Sequence, residues 1–148
     1  MHYLLDGYNL AHWLAPGDHD LQPRQLRELL LGQLAGRLPN DATSVAVYWD
    51  VRNMHPGIPA RESLGWCVQH NVPDADAAII DAVYASPDPG RCVVVSRDRE
   101  VTGKSRQLGA RTLEPRDLLG DVPGAGRGPS RGRGGKQGAR RGRKGRRR

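Results

Sequence analysis

Residues 91–113 read RCVVVSRDREVTGKSRQLGARTL. The run Val93–Val95 is apolar and β-branched and stops at Ser96, so residues 91–96 predict a buried strand. Residues 99–108 predict a short helix, Gly109 its end, and ARTL the lead into a last short strand. Strand, helix, strand in that order implies parallel pairing, because a parallel partner is reached by a crossover.

The same alternation extends outward. Residues 2–5 and the segment SVAVYW (44–49) predict two more buried strands. Between them, in QPRQLRELLLGQLAGRL, Leu26, Leu29, Leu30, Leu34 and Leu38 recur at helical spacing and Pro23 suits a first turn. A weaker strand is expected at LGWCVQ (64–69), before a helix DADAAIIDAVYA (74–85) with Asp74 as its N-cap. The fold class is therefore α/β, with a central parallel sheet of about five strands.

Composition divides the chain near Asp121. Residues 1–121 hold 12 Lys and Arg against all 16 Asp and Glu, a net of −4, whereas residues 122–148 hold 11 and none, a net of +11. About 120 residues suffice for one domain with a single core. From Pro123 onward Gly, Arg and Lys dominate without apolar periodicity, which predicts disorder for residues 122–148. The strongly basic pI thus belongs to the tail. Cys67 and Cys92 are the only cysteines, no segment resembles a signal peptide, and no apolar run is long enough to cross a bilayer. A reduced, cytoplasmic setting without membrane contact is expected.

Four acids stand where apolar runs stop: Asp6 after Tyr3–Leu5, Asp50 after Val45–Trp49, Asp98 after Val93–Ser96, and Asp76 at the head of the alanine-rich helix. In an open α/β sheet the carboxyl ends of the strands share one edge, so acids distant in sequence can meet in one crevice. Two carboxylates about 4 Å apart repel by roughly 4 kcal/mol at an effective dielectric near 20, which a divalent cation relieves. The pattern predicts a Mg²⁺ or Mn²⁺ site. Ordinary roles compete at each position: a turn for Asp6 and Asp50, a helix cap for Asp98 and Asp74, and a favourable macrodipole position for Asp76.

LLDGYNLAHWL, YWDVRN, DADAAIIDAV and the stretch VVVSRDREVTGKSRQLGARTLEPRDLL together resemble the NYN domain family, in its YacP-like branch, within the wider PIN-like nucleases. The resemblance spans residues 2 to about 119. It implies a three-layer α/β domain (1–121) and a carboxylate-rich metal site that hydrolyses RNA phosphodiester bonds to leave 5′-phosphate and 3′-hydroxyl ends. Carried over by motif, Asp6, Asn9, Asp76 and Asp98 are the expected catalytic residues, with Asp6, Asp76, Asp98 and Asp50 as metal ligands. Asp74 stands where relatives often have Thr, and a further helical acid is displaced to Asp81. Glu100, Asp74 and Asp81 are accessory candidates, although Asp81 is about 140° around the helix from Asp76 and is not expected to share its face.

Arg97, Arg99, Lys104 and Arg106 flank Asp98 and are expected to engage RNA phosphates, or else to form a solvated helix face. In the tail, Arg127, Arg131, Arg133, Lys136, Arg140, Arg141, Arg143, Lys144, Arg146, Arg147 and Arg148 form a polyelectrolyte suited to RNA, and a ribosome is a natural extension of that partner class. Two other classes compete with a nuclease: an RNA- or ribosome-binding protein on an inactive domain, and a metal-dependent phosphatase. The phosphatase is disfavoured because Tyr8 stands two residues after Asp6, where a second acid is usual. The five histidines show no paired spacing, which argues against structural zinc.

Overall fold

Leu5 and Val95, ninety positions apart, lie side by side on parallel strands. The computed structural model describes residues 1–17, 20–52 and 57–121. Strands β1 (His2–Asp6), β2 (Ser44–Asp50), β3 (Arg61–Ser63), β4 (Val68–Val72), β5 (Cys92–Val95) and β6 (Arg111–Leu113) form one sheet in the order β3-β4-β2-β1-β5-β6. The five strands from β4 to β6 are mutually parallel, as expected, and β3 adds an antiparallel edge that the sequence reading did not anticipate. The strand expected at 64–69 is instead divided. Gly65 adopts φ +83, Leu64 N donates to the Cys67 carbonyl, and the resulting turn joins β3 to β4. Trp66 and Cys67 look strand-like in sequence because they pack on the core, but they do so from that turn.

The helices are α1 (Gly7–Leu14), α2 (Pro23–Ala35), α3 (Ala75–Ala85), α4 (Arg99–Gln107) and α5 (Pro115–Leu119). Alternation along each strand sorts the core into two halves. Tyr3, Leu5, Val45, Val47, Trp49, Val93 and Val95 face Leu10, Leu26, Leu30, Leu34 and Leu118 of α1, α2 and α5. Leu4, Tyr48, Cys92 and Val94 face Ile79, Val83 and Val101 of α3 and α4. The result is three layers. Helix α2 begins as predicted, with Pro23 in its first turn, and Gln22 and Gln25 cap each other. Helix α1 was not expected, because Gly7, Asn9 and His12 mask the short apolar face made by Leu10, Ala11 and Leu14.

From β1 the chain moves to β2 on one side, and after β4 it crosses back to β5 on the other. The carboxyl ends of β1 and β5 therefore flank a topological switch point, where open α/β sheets leave a crevice. Among the described residues no helix is long and apolar enough to cross a membrane. The tail, residues 122–148, with every basic residue named there, lies outside the described residues.

Candidate active site

Asp6 belongs to β1 and continues the parity of Leu4; Asp50 continues that of Tyr48, and Ser96 that of Val94. All three side chains therefore leave the sheet toward the α3 and α4 layer, at the carboxyl edge. The first turns of those two helices bring Asp76 and Asp98 to the same edge. Asp6 is buried, 7% exposed. That burial, reinforced by the charges of Asp76, Asp98 and Asp50, pushes its carboxyl up to about 6, against a lowering from the Ser96 hydrogen bond. Asp76 is also raised, first by desolvation and then by Asp98, Asp74, Asp50 and Glu100. Asp6 and Asp76 thus both feel the charges of Asp50 and Asp98.

Ser96 organises the centre. Its hydroxyl donates to Asp6 Oδ2 at 2.9 Å and accepts from the Asp98 amide at 3.0 Å. The direction of the hydroxyl proton is fixed by that pair of contacts. Sequence reading gave Ser96 no role beyond ending a strand. The signal lay in register: Leu5 pairs with Val95, so the next residues on each strand, Asp6 and Ser96, are neighbours.

Each residue of Asp6-Gly7-Tyr8-Asn9 has a distinct task. A Cβ on Gly7 would collide with the Trp49 ring at Cε3, so glycine here admits the tryptophan. Tyr8 packs edge-on to Trp49 at 4.9 Å and accepts a 2.9 Å hydrogen bond from Arg27 Nε, whose guanidinium lies 5.0 Å from the Trp49 ring. Asn9 Oδ1 accepts from the Arg97 amide at 2.9 Å, tying α1 to the loop after β5. Asn9 thus braces the loop that carries Asp98.

Several candidates also have structural work. Asp98 caps α4 by accepting from Glu100 N at 2.9 Å, and Asp74 caps α3 by accepting from Ala77 N at 3.1 Å. Glu100 holds Lys104 at 2.9 Å on an exposed face, so an accessory acid candidate and an expected phosphate contact satisfy each other. Asp81 lines a small cleft between α3 and α4 together with Asp76, Glu100 and Lys104. It is not among the charges that raise Asp76.

Helix α4 is a ridge between two clefts. Its Glu100, Val101 and Lys104 face the acidic one; Arg99, Thr102 and Arg106 face a larger one of about 880 Å³ above β5 and β6. Ser96 and Arg97 lie in the wall of the larger cleft, as do Trp13 and Arg116, which sequence reading did not single out.

The donor set suits a hard divalent ion, since it consists of carboxylates at a strand edge. Among the described residues, however, no three His, Cys, Asp or Glu side chains are gathered closely enough to grip one ion as they stand. Asp98 would have to share or rotate the oxygen with which it caps α4.

No protein-family model matches the chain. No curated protein sequence matches it either. Among solved structures, the crystal structure of a mutant form of Rae1 (YacP) from Bacillus subtilis matches over 80% of this chain and 72% of that one, with a TM-score of 0.56 and 21% identity. The chain has a YacP-like fold. At this identity the likeness concerns architecture. The YacP-like framework accounts for the layers and the sheet, while the chemistry of the site rests on the residues themselves.

Proposed function

We propose that this protein is a Mg²⁺- or Mn²⁺-dependent endoribonuclease, in which residues 1–121 hydrolyse RNA phosphodiester bonds and the basic segment 122–148 tethers the enzyme to RNA or to ribosomes in the cytoplasm. The observation that carries this reading is the convergence of Asp6, Asp50, Asp76 and Asp98 at the switch point of the sheet, where burial first, and then the charges of Asp98 and Asp50, push the carboxyls of Asp6 and Asp76 up. A buried carboxylate surrounded by three others is costly to ionise, and a divalent cation is the ordinary compensation.

Asp6, Asp76 and Asp98 would hold the ion, with Asp50 on the outer side. The chemistry supplied by such an ion is activation of water for in-line attack and stabilisation of the leaving oxygen. Ser96 keeps Asp6 oriented and favours its ionised form. Asn9 fixes the loop carrying Arg97 and Asp98, and Arg97 and Arg99 face the cleft where the substrate phosphates would lie. In the net reaction, water oxygen bonds to phosphorus, the bond from phosphorus to O3′ breaks, and O3′ leaves with a proton.

A second reading, an RNA- or ribosome-binding protein without activity, draws on the capping duties of Asp98 and Asp74 and on the lack of a gathered ligand trio among the described residues. The deciding experiment incubates end-labelled RNA with the full-length protein in Mn²⁺, Mg²⁺ or EDTA, beside Asp6→Asn. Metal-dependent fragments that vanish in the variant establish the nuclease; RNA bound but intact in every metal gives the lead to the binding protein.

A further inference from the structure

We infer that the large cleft beside α4 is a subsite for single-stranded RNA, in which Trp13 stacks an unpaired base and Arg97, Arg99, Arg106 and Arg116 take the adjoining phosphates. This rests on the ribonuclease reading for its biological sense, but the binding it asserts does not require cleavage.

The cleft has a volume of about 880 Å³, within the roughly 300–1,000 Å³ typical of ligand pockets. Trp13 comes from α1, where one side of its half-buried ring packs on the core and another lines the cleft. Arg99 and Arg106 come from one face of α4, and Arg116 from the first turn of α5. Arg106 is already oriented, its Nε donating to Thr112 Oγ1 at 2.8 Å. Four cations thus surround an aromatic platform, in a domain whose net charge is otherwise negative.

Two carboxylates, Glu114 and Asp117, also reach the wall. They cap α5 reciprocally, and Glu114 lies 3.8 Å from Arg116. They leave the cleft with an excess of two positive charges, and they are acceptors suited to exocyclic amines of a base.

Position supplies the link to chemistry. Ser96 forms part of the cleft wall and at the same time holds Asp6. A strand crossing the acidic centre would therefore pass into the cleft beside Ser96. Base stacking on an isolated tryptophan requires a splayed base, which a duplex keeps inside its own stack, so the occupant is single-stranded.

The test uses the full-length protein in EDTA, ¹⁵N-labelled, with the indole N–H resonance of Trp13 assigned by its loss in Trp13→Leu. The probe is a 5′-phosphorylated cytidine trinucleotide, whose bases carry an exocyclic amine. The inference expects a saturable shift of the Trp13 resonance and roughly tenfold weaker binding in Trp13→Leu, consistent with stacking. Arg99→Gln, on an exposed helix face, should weaken binding without touching the core, and a blunt RNA duplex should leave Trp13 unmoved. An unmoved Trp13 resonance, or equal shifts with trinucleotide and duplex, overturns the subsite. RNA cleavage measured separately in Mn²⁺ distinguishes the two ideas: a Trp13 shift in EDTA without cutting in Mn²⁺ retains the subsite and removes the nuclease, and cutting in Mn²⁺ without the shift does the reverse.

Discussion

The Ser96 hydroxyl donates to Asp6 Oδ2 at 2.9 Å across 90 positions of sequence. Among the described residues it is the one side-chain hydrogen bond that favours the ionised form of Asp6 against burial and three neighbouring carboxylates. Ser96→Ala removes it and also deprives the Asp98 amide of its acceptor. Protons and the metal compete for this carboxylate, so a carboxyl raised further should move the acid limb of the pH–rate profile to higher pH. At neutral pH, cleavage should fall by roughly tenfold to a hundredfold, as expected for a positioning residue next to a metal ligand. Ser96→Thr, which retains the hydroxyl, should recover the profile; a limb left in place by both variants would remove Ser96 from the site.

Asp6 itself should oppose folding. Its carboxyl titrates near 6 in the fold against 3.8 when unperturbed. The folded state therefore binds this proton more tightly, and the favourable contribution present below the unfolded value is lost as pH rises through the folded one. At neutral pH the ionised group costs about 3 kcal/mol in the metal-free protein. Asp6→Asn should then melt several degrees higher than wild type at pH 7 in EDTA, with the gap closing near pH 4. Adding Mn²⁺ should raise the melting temperature of wild type and leave the variant unchanged. A variant that melts lower in EDTA at every pH contradicts this.

Gly7 is held by Trp49. The Cβ of an alanine there would collide with Cε3 of a ring that is fully buried and anchored by a 2.8 Å hydrogen bond from its Nε1 to Gln69. The ring has no room to retreat, so Gly7→Ala should cost at least about 1–3 kcal/mol of stability, read as a lower midpoint in urea. Because α1 would be displaced from the sheet, the Asn9 bond to Arg97 should weaken as well and activity should fall with stability.

Asp6 and Asp98 were legible in the sequence because each follows a short apolar strand, and the strand pattern alone sends both to one sheet edge. Asp76 was legible from its helix start. Ser96 was not, because its partnership with Asp6 depends on the β1–β5 register, which no local pattern encodes. Trp13 and Arg116 were missed for a related reason: they sit on α1 and α5, helices of 8 and 5 residues, too short for periodicity to single out, and they meet only through packing on the same side of the sheet. The displaced boundary of β4 has a local cause in the positive φ of Gly65, a turn signal obscured by the apolar Trp66 and Cys67 beside it.

The tail should govern affinity and salt dependence more than cleavage chemistry. Residues 122–148 contribute 11 cations, and without them the chain carries a net of −4. If all of them neutralise phosphates of single-stranded RNA, the slope of log K against log salt approaches about −8, and removing the segment should bring it close to the few contacts of the α4 cleft. Cleavage of a long RNA at low concentration should then drop steeply, through a higher KM. Cleavage of a saturating short oligonucleotide should keep its kcat, because the acids, Ser96 and Asn9 all belong to residues 1–121. An unchanged salt slope after truncation would show that the tail contributes no phosphate contacts, and a lost kcat on the short substrate would place part of the active centre in the tail.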